Sequence, residues 1–189
     1  RSPAALISSD PPERPDMKQT LLALTLAASA GIALSASDYP FQPVPLNQVA
    51  ILDGFWLPRF ETNRLVTVWA DFKKSEETGR ISNFARAGKL EDGPFKGIPF
   101  DDSDVFKIVE GAAYTLATHP DPKLDAYLDA LIAKMAAAQE PDGYLYTART
   151  LGFINGMTGP ARWSNMGASH ELYNIGHLYE AAVAHYEVT

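Results

Sequence analysis

The chain has 189 residues, of which 46% are hydrophobic and 21% charged, a composition typical of one globular domain or part of one. The net charge of −7 argues against nucleic acid or an anionic membrane as a partner, because both require a basic surface. The sequence contains no cysteine, so disulfides, thiolate catalysis and cysteine-held zinc are excluded within this chain.

The N-terminal region has the pattern of a secretory signal peptide. Met17 and Lys18 form a short basic start, and residues 21–34 are almost wholly apolar or small. Ser35-Ala36-Ser37 then supplies the small residues that cleavage requires. The apolar run is too short for a comfortable membrane span, although an uncleaved anchor is the alternative.

This pattern divides the chain into three predicted segments. Residues 1–16 are expected to be an extension upstream of the true start, and residues 17–36 the signal peptide. Residues 37–189 are then the mature part. We expect a secreted or periplasmic protein that has no membrane contact after cleavage.

The mature part predicts helices joined by loops rich in glycine and proline, with no convincing β-alternation after residue 58. A first helix is expected to open at Pro58. One face of that helix is predicted to be apolar and carries Leu65, Val68, Trp69 and Phe72. Residues 88–101 are predicted to be a loop.

Two further helices have clear apolar stripes. One begins near Asp101 and carries its stripe at Val105, Ile108, Val109, Ala112 and Leu116. The next is expected to begin at Asp121 as the N-cap, with Pro122 at the first helical position, and to stop before Pro141-Asp142-Gly143. Gln139 lies on the stripe of that helix, so a buried amide is expected that either holds the following loop or reaches a ligand.

A long connection, about residues 141–168, follows, and a connection of this length is usually functional. Its aromatic residues suit either a core or the apolar face of a sugar: Tyr144, Tyr146, Phe153 and Trp163. Ser169 is expected to cap the last helix, in whose first turn Glu171 is favoured by the helix dipole.

The last helix places two histidines on one face. At about 100° per residue, His170 and His177 fall within about 20° of each other. Small residues share that face: Asn174, Ala181 and Ala184. Imidazoles over small residues leave room for a neighbouring helix or a ligand. The opposite face is predicted to be the packed side and holds Leu172, Ile175, Leu178, Tyr179, Ala182, Val183 and Tyr186.

The spacing of these histidines does not predict a metal site. Asn174 stands where a zinc-binding HExxH helix has its second histidine. His170 and His177 are about 10.5 Å apart along the helix axis, which is too far for both to ligate one ion.

The segment Asp101–Asp104 places three carboxylates at a helix start. Capping of free backbone N–H groups is the favoured interpretation. The alternative is sugar hydroxyl binding or acid–base catalysis by one carboxylate, in which Asp102 is a candidate. Asp104 can also pair with Lys107 one turn later.

Six motifs occur in order across residues 51–185, namely Phe55-Trp56-Leu57-Pro58-Arg59, Gly79-Arg80-Ile81-Ser82-Asn83-Phe84, Phe100-Asp101-Asp102-Ser103-Asp104-Val105-Phe106-Lys107, His119-Pro120-Asp121-Pro122-Lys123-Leu124, Gln139-Glu140-Pro141-Asp142-Gly143-Tyr144-Leu145 and His170-Glu171-Leu172-Tyr173 with Gly176-His177. Each motif alone is weak. Together they resemble glycoside hydrolase family 127, the non-reducing-end β-L-arabinofuranosidases.

The resemblance implies an all-α fold, the N-terminal portion of an (α/α)6 barrel that is incomplete in this chain. It implies a retaining glycosidase that removes terminal β-L-arabinofuranosyl groups from plant-type, arabinose-containing glycans. The cysteine nucleophile, the zinc beside it and the glutamate acid/base are implied for a missing C-terminal part. This chain is therefore expected to hold no catalytic residue, metal ligand or cofactor.

The resemblance also places the sugar contact. The active-site histidine of the family motif corresponds to His170, and Asp102 and His177 are further candidates for substrate binding. Residues 37–189 alone are expected to be inactive and prone to aggregation. Two alternatives remain: another (α/α)-barrel glycosidase or lyase that uses Asp102 or Asp104 as acid/base, and a non-catalytic glycan-binding fragment.

Overall fold

The computed structural model describes residues 41–189, and the predicted signal peptide lies outside them. The contacts divide the chain into a unit that ends at Pro43 and a compact unit over Val44–Thr189, which is the one described below. Its regular structure is entirely helical in the described residues, which confirms the all-α prediction. None of the helices searched, all within residues 41–189, combines the length and apolar character of a membrane span.

Eight α-helices make up the described part of the unit, together with a 3₁₀ turn at Leu46–Gln48 and a π-helical turn at Asn63–Thr67. The helices are α1 (Trp56–Thr62), α2 (Val68–Glu77), α3 (Arg80–Ala87), α4 (Asp102–Thr118), α5 (Pro122–Ala138), α6 (Thr147–Thr150), α7 (Met166–Ser169) and α8 (Glu171–Val188). The long connection between α5 and α8 thus contains two short helices.

The sequence predicted that helix α1 begins at Pro58. In the structure it begins two residues earlier, at Trp56. The reason is Asp53, whose Oδ1 accepts from the backbone N–H groups of Phe55, at 2.9 Å, and Trp56, at 2.6 Å. Pro58 still lies in the first turn, where its missing N–H has no intrahelical partner to lose. Leu65, predicted to be packed, is 57% exposed. The π-helical turn that contains it widens the helix and rotates its faces.

The predictions for α4 and α5 are confirmed. The stripe of α4 is buried at Val105, Val109, Ala112 and Leu116, with Ile108 partly buried. Oδ1 of Asp121 accepts from the N–H groups of Lys123 at 2.9 Å and Leu124 at 3.2 Å, with Pro122 in the first helical position. Both results follow from local rules, because stripe period and cap chemistry depend on neighbours in sequence.

The predicted packing face of α8 is wrong at most of its positions, although Leu178 does pack against the core. The residues expected to be packed include the four most exposed large apolar side chains of this helix, Leu172, Tyr179, Val183 and Tyr186, at 56–86% exposure. The buried positions are instead Glu171, Asn174, Ala181 and Ala184. Helix α4 packs most extensively against α8, and the alanines allow the two backbones to approach closely. The room over the small residues is therefore filled by a neighbouring helix, one of the two alternatives.

Candidate functional site

His170 occupies the single residue between α7 and α8. Its backbone is left-handed, with φ 55° and ψ 30°, which is uncommon for a residue other than glycine. The predicted cap at Ser169 is wrong, because Ser169 ends α7 and no side chain caps α8. The Tyr146 hydroxyl donates to the Ser169 carbonyl at 2.7 Å, and Asn174 donates to the His170 carbonyl. Such backbone strain persists only where the surroundings hold it, often at functional sites.

Aromatic rings surround the His170 imidazole on two sides. Phe100 contacts it edge to face at 4.6 Å between ring centroids, and the Tyr173 ring lies 5.9 Å away. No hydrogen bond or ion pair from the described residues reaches either imidazole nitrogen, and neither nitrogen is buried. Tyr173 is 47% exposed. The ring is thus held by packing while its nitrogens are free to donate or accept toward a ligand.

The second predicted histidine, His177, contacts the same tyrosine ring that lies beside His170. Its imidazole contacts Tyr173 edge to face at 4.5 Å, so Tyr173 lies between the two histidines. The Lys107 ammonium lies 4.7 Å from the centroid of the Tyr173 ring. The structure therefore brings the two predicted histidines together through Tyr173.

Glu171 is the residue that the sequence analysis missed as a structural centre. It is 1% exposed. Its carboxylate accepts from the Tyr144 hydroxyl at 2.6 Å, the Ser169 hydroxyl at 2.8 Å and the Trp163 N–H at 3.1 Å. Arg149 lies 3.8 Å away and supplies a positive charge. This carboxylate ties three points of the long connection to the start of α8.

The Glu171 centre also fixes the protonation of Tyr144. Burial raises the pKa of the Tyr144 hydroxyl, and the hydrogen bond to the Glu171 carboxylate raises it further. The phenol therefore stays protonated and keeps donating. Trp163, which donates its backbone N–H to the same carboxylate, has φ 63° and is 41% exposed. Trp163 and His170, the two non-glycine residues with a left-handed backbone in residues 141–170, are thus both next to Glu171.

Asp102, the second predicted site residue, faces the interior. It is 1% exposed, and its two oxygens accept from the Thr147 N–H at 2.7 Å and the Thr147 hydroxyl at 2.6 Å. Burial raises the pKa of its carboxyl to about 6, although the hydrogen bonds from Thr147 lower it. Asp102 thus joins the start of α4 to the start of α6, next to Tyr146. Its predicted contact with a sugar stays a prediction.

The neighbouring carboxylates do not cap α4, so the favoured interpretation is wrong. No side-chain hydrogen bond caps this helix. Asp101 is buried and accepts from the Ile98 N–H at 2.9 Å. Arg80 pairs with both carboxylates, at 3.3 Å to Asp101 and 3.0 Å to Asp104. Asp104 also lies 4.0 Å from Lys107, as predicted. These groups therefore hold α3, the loop before α4 and α4 together.

Ion pairs hold the long connection from its other side. Arg162 pairs with Glu140 and Asp142, and its guanidinium lies 4.1 Å from the centroid of the Tyr144 ring. Gln139 is exposed rather than buried as predicted, because α5 ends before it. Its amide donates to the Gly143 carbonyl at 3.0 Å, so the prediction that it holds the turn is confirmed. These ion pairs and hydrogen bonds fix the connection, which leads directly into His170.

Replacing Asp102 with asparagine should change how stability depends on pH. The folded pKa of about 6 lies above the unfolded value of 3.8, so the folded chain binds the proton first. This carboxyl therefore stabilises the fold as pH falls through 6, and that contribution is absent at pH 7. The pKa difference corresponds to about 3 kcal/mol, which is fully present only below about pH 3, under both pKa values.

The measurement is urea denaturation of both proteins at pH 7, 6 and 5. We expect the wild-type chain to gain about 1 kcal/mol relative to Asp102→Asn between pH 7 and pH 5. The variant is the matched control, since an amide can still accept from the Thr147 N–H. Parallel pH profiles would contradict a raised pKa at Asp102.

Comparison with known proteins identifies relatives over most of the described chain. The family model for the β-L-arabinofuranosidase, GH127 catalytic domain, matches residues 48–189. The non-reducing end β-L-arabinofuranosidase of Bifidobacterium longum subsp. longum is 48% identical over 103 residues. That match covers 54% of this chain and 15% of the relative, so the chain spans a small part of that protein.

Solved structures show the same fold. The GH127 β-arabinofuranosidase BT3674 is 48% identical with a TM-score of 0.74, over 80% of this chain and 24% of that one. Ara127N-Se, a GH127 β-L-arabinofuranosidase from Geobacillus stearothermophilus T6, is 36% identical with a TM-score of 0.69, over 75% and 22%. With the all-helical architecture, these matches confirm the predicted portion of an (α/α)6 barrel.

Proposed function

Since this chain belongs to the GH127 family of β-L-arabinofuranosidases, we propose that it is part of a glycoside hydrolase that removes terminal β-L-arabinofuranosyl groups from plant-type glycans. We further propose that the protein is secreted or periplasmic, where such polymeric glycans are accessible. The signal-peptide pattern of residues 17–36 supports this location.

The observation that carries the proposal is the unpaired imidazole of His170 within its aromatic frame. A sugar needs hydrogen-bond partners for its hydroxyls and an apolar surface for its C–H face. His170 offers ring nitrogens with no partner in the described residues, and the half-exposed Tyr173 ring lies beside it. His170 is thus proposed as the substrate contact of this chain.

Asp102 and His177 are proposed to act at the same site through their neighbours. Asp102 positions Thr147, and the adjacent Tyr146 donates to the Ser169 carbonyl immediately before His170. His177 packs against the Tyr173 ring, which also lies beside His170. Both residues then orient the sugar-binding groups.

The cysteine nucleophile implied by the family resemblance is not formed by this chain. The chain contains no cysteine, so its residues supply neither the nucleophile nor a cysteine-held zinc. We therefore propose that this chain forms one wall of the substrate pocket. We also propose that the isolated chain hydrolyses no glycoside, because no other nucleophile motif replaces the cysteine.

The carboxylate alternative is less well supported by the geometry. Both oxygens of Asp102 are occupied by Thr147, and the side chain is buried. Asp104 is paired with Arg80 at 3.0 Å, so its carboxylate already has a partner within the fold. A non-catalytic role in glycan binding fits the same His170 site without hydrolysis.

The experiment compares two proteins on p-nitrophenyl β-L-arabinofuranoside. One is the 189-residue chain, and the other is the product of the uninterrupted reading frame read past Thr189. We expect release of nitrophenol only from the longer product. A folded longer product that cleaves other glycosides but not this one would refute the proposed function. Activity of the 189-residue chain that Asp102→Asn abolishes would favour the carboxylate alternative.

A further inference from the structure

A cluster of metal-ligating side chains lies on the outer edge of the α4–α8 contact. Glu110 of α4 and His177 and Glu180 of α8 each place one ligand atom within 4.8 Å of the others. His177 and Glu180 are three residues apart, so they share one face of the helix. Glu110 comes from the neighbouring helix. Spacing within a single helix, from which the sequence predicted no metal, cannot detect such a set.

The histidine in this cluster has an unsatisfied nitrogen. Nδ1 of His177 is buried and has no hydrogen bond in the described part of the chain. Oε2 of Glu180 is 2.8 Å away, but the contact lacks the geometry of a hydrogen bond. A buried ring nitrogen without a partner costs free energy unless something else binds it. The His177 ring also packs edge to face against the Tyr173 ring at 4.5 Å between centroids, which limits its rotation.

The cluster also carries negative charge without a matching cation. Partial burial raises the pKa of the Tyr114 hydroxyl, and the carboxylates of Glu110, Glu187 and Glu180 raise it further. Three carboxylates therefore lie within electrostatic range of one phenol. No lysine or arginine of residues 41–189 forms an ion pair with any of the three. Such a surface attracts a cation.

From these observations we propose that Glu110, His177 and Glu180 bind one divalent transition-metal ion of the zinc type. Imidazole nitrogen with two carboxylate oxygens suits Zn²⁺, whereas Mg²⁺ prefers oxygen ligands alone. The three atoms lie within 4.8 Å of one another, and binding would require side-chain rotations that place each about 2.0–2.2 Å from the ion. Water fills the fourth position. This site is inferred without reliance on the proposed glycosidase function, and it is distinct from any cysteine-held zinc.

A bound ion would cross-link α4 and α8 beside the Tyr173 ring. His177 contacts that ring, so the ion would hold the support of the substrate site in one orientation. A metal ion that binds only the folded state stabilises that state, and the stabilisation grows as the free metal concentration rises above the dissociation constant. Zinc should therefore raise the melting temperature as well as bind.

The test uses the untagged 189-residue chain, stripped with EDTA and titrated with ZnCl₂ by calorimetry. We expect a zinc-binding event that is weakened at least tenfold in both Glu110→Gln and Glu180→Gln. The melting temperature of the wild-type chain should rise with zinc and not with an equal concentration of MgCl₂. Glu180 is 59% exposed at its side chain, so its variant should fold normally.

A second cluster supplies the matched control. Asp125, Asp129 and His185 have the same type of donor set elsewhere on the surface. Asp129→Asn should leave the zinc event lost in Glu110→Gln unchanged. No zinc uptake by the wild-type chain, uptake that survives in both glutamine variants, or uptake abolished by Asp129→Asn instead would each overturn the proposal. Equal affinity for Mg²⁺ would overturn the role of His177.

Discussion

Glu171→Ala is expected to lower the free energy of unfolding by about 3–5 kcal/mol, the range seen when one partner of a buried charged network is removed. The carboxylate accepts from Tyr144, Ser169 and Trp163 in the interior. Its removal leaves those donors unsatisfied and Arg149 without its nearby negative charge. Urea denaturation at pH 7 measures the loss.

The controls separate the charge from the hydrogen bonds. Tyr144→Phe removes a single donor and should cost about 1–2 kcal/mol. Glu180→Gln, measured without added metal, changes an exposed glutamate of the same helix and should cost less than about 0.5 kcal/mol. If Glu171→Ala costs no more than this surface control, the long connection is held by other contacts and Glu171 is not its centre.

The helices with local signals could be predicted from the sequence. The stripe of α4 and the Asp121 cap of α5 depend only on residues a few positions apart, and both are confirmed. The start of α1 was missed although its signal is also local, because Asp53 accepts from the N–H groups two and three residues on, as Asp121 does, and so moves the start upstream of Pro58. The π-helical turn around Leu65 likewise interrupts the 3.6-residue periodicity from which the apolar face of the first helix was predicted.

The orientation of α8 shows where periodicity fails. The sequence defines two faces, one of large apolar residues and one of small and polar residues, but not which face meets α4. Close packing needs small residues at the contact, so Ala181 and Ala184 face α4 and Tyr179 and Val183 are exposed. The exposed face is a large apolar surface of the kind that promotes association. The expected aggregation of residues 37–189 stays a prediction.

The candidate site was predictable in part. The predicted helical spacing singled out both histidines, although His170 lies before α8 with a left-handed backbone rather than on its face, and the family resemblance gave the proposed role of His170. Glu171 and Thr147 could not be found in this way, because their partners come from distant parts of the chain. Glu171 meets Tyr144 across 27 positions, and Thr147 meets Asp102 across 45. Such pairs are defined only once the long connection is folded.

His170→Ala should lower kcat/KM of the longer gene product on the β-L-arabinofuranoside by about 100-fold, on the order of 3 kcal/mol. The reason is that an imidazole hydrogen bond to a sugar hydroxyl counts fully when it strengthens in the transition state. His177→Ala should cost less activity, because that ring reaches the site only through Tyr173. Steady-state kinetics at pH 7 gives both values.

His170→Gly distinguishes a substrate contact from a structural role. Alanine keeps the strain of the left-handed backbone, whereas glycine adopts φ 55° without strain. The free energy of unfolding of the glycine variant should therefore exceed that of the alanine variant by about 1 kcal/mol. Urea denaturation of both variants measures this difference. Both should lose the same activity, because both lack the imidazole. If glycine instead restores turnover toward the wild-type rate, the lost activity follows from the backbone and the assignment of His170 as the sugar contact is wrong.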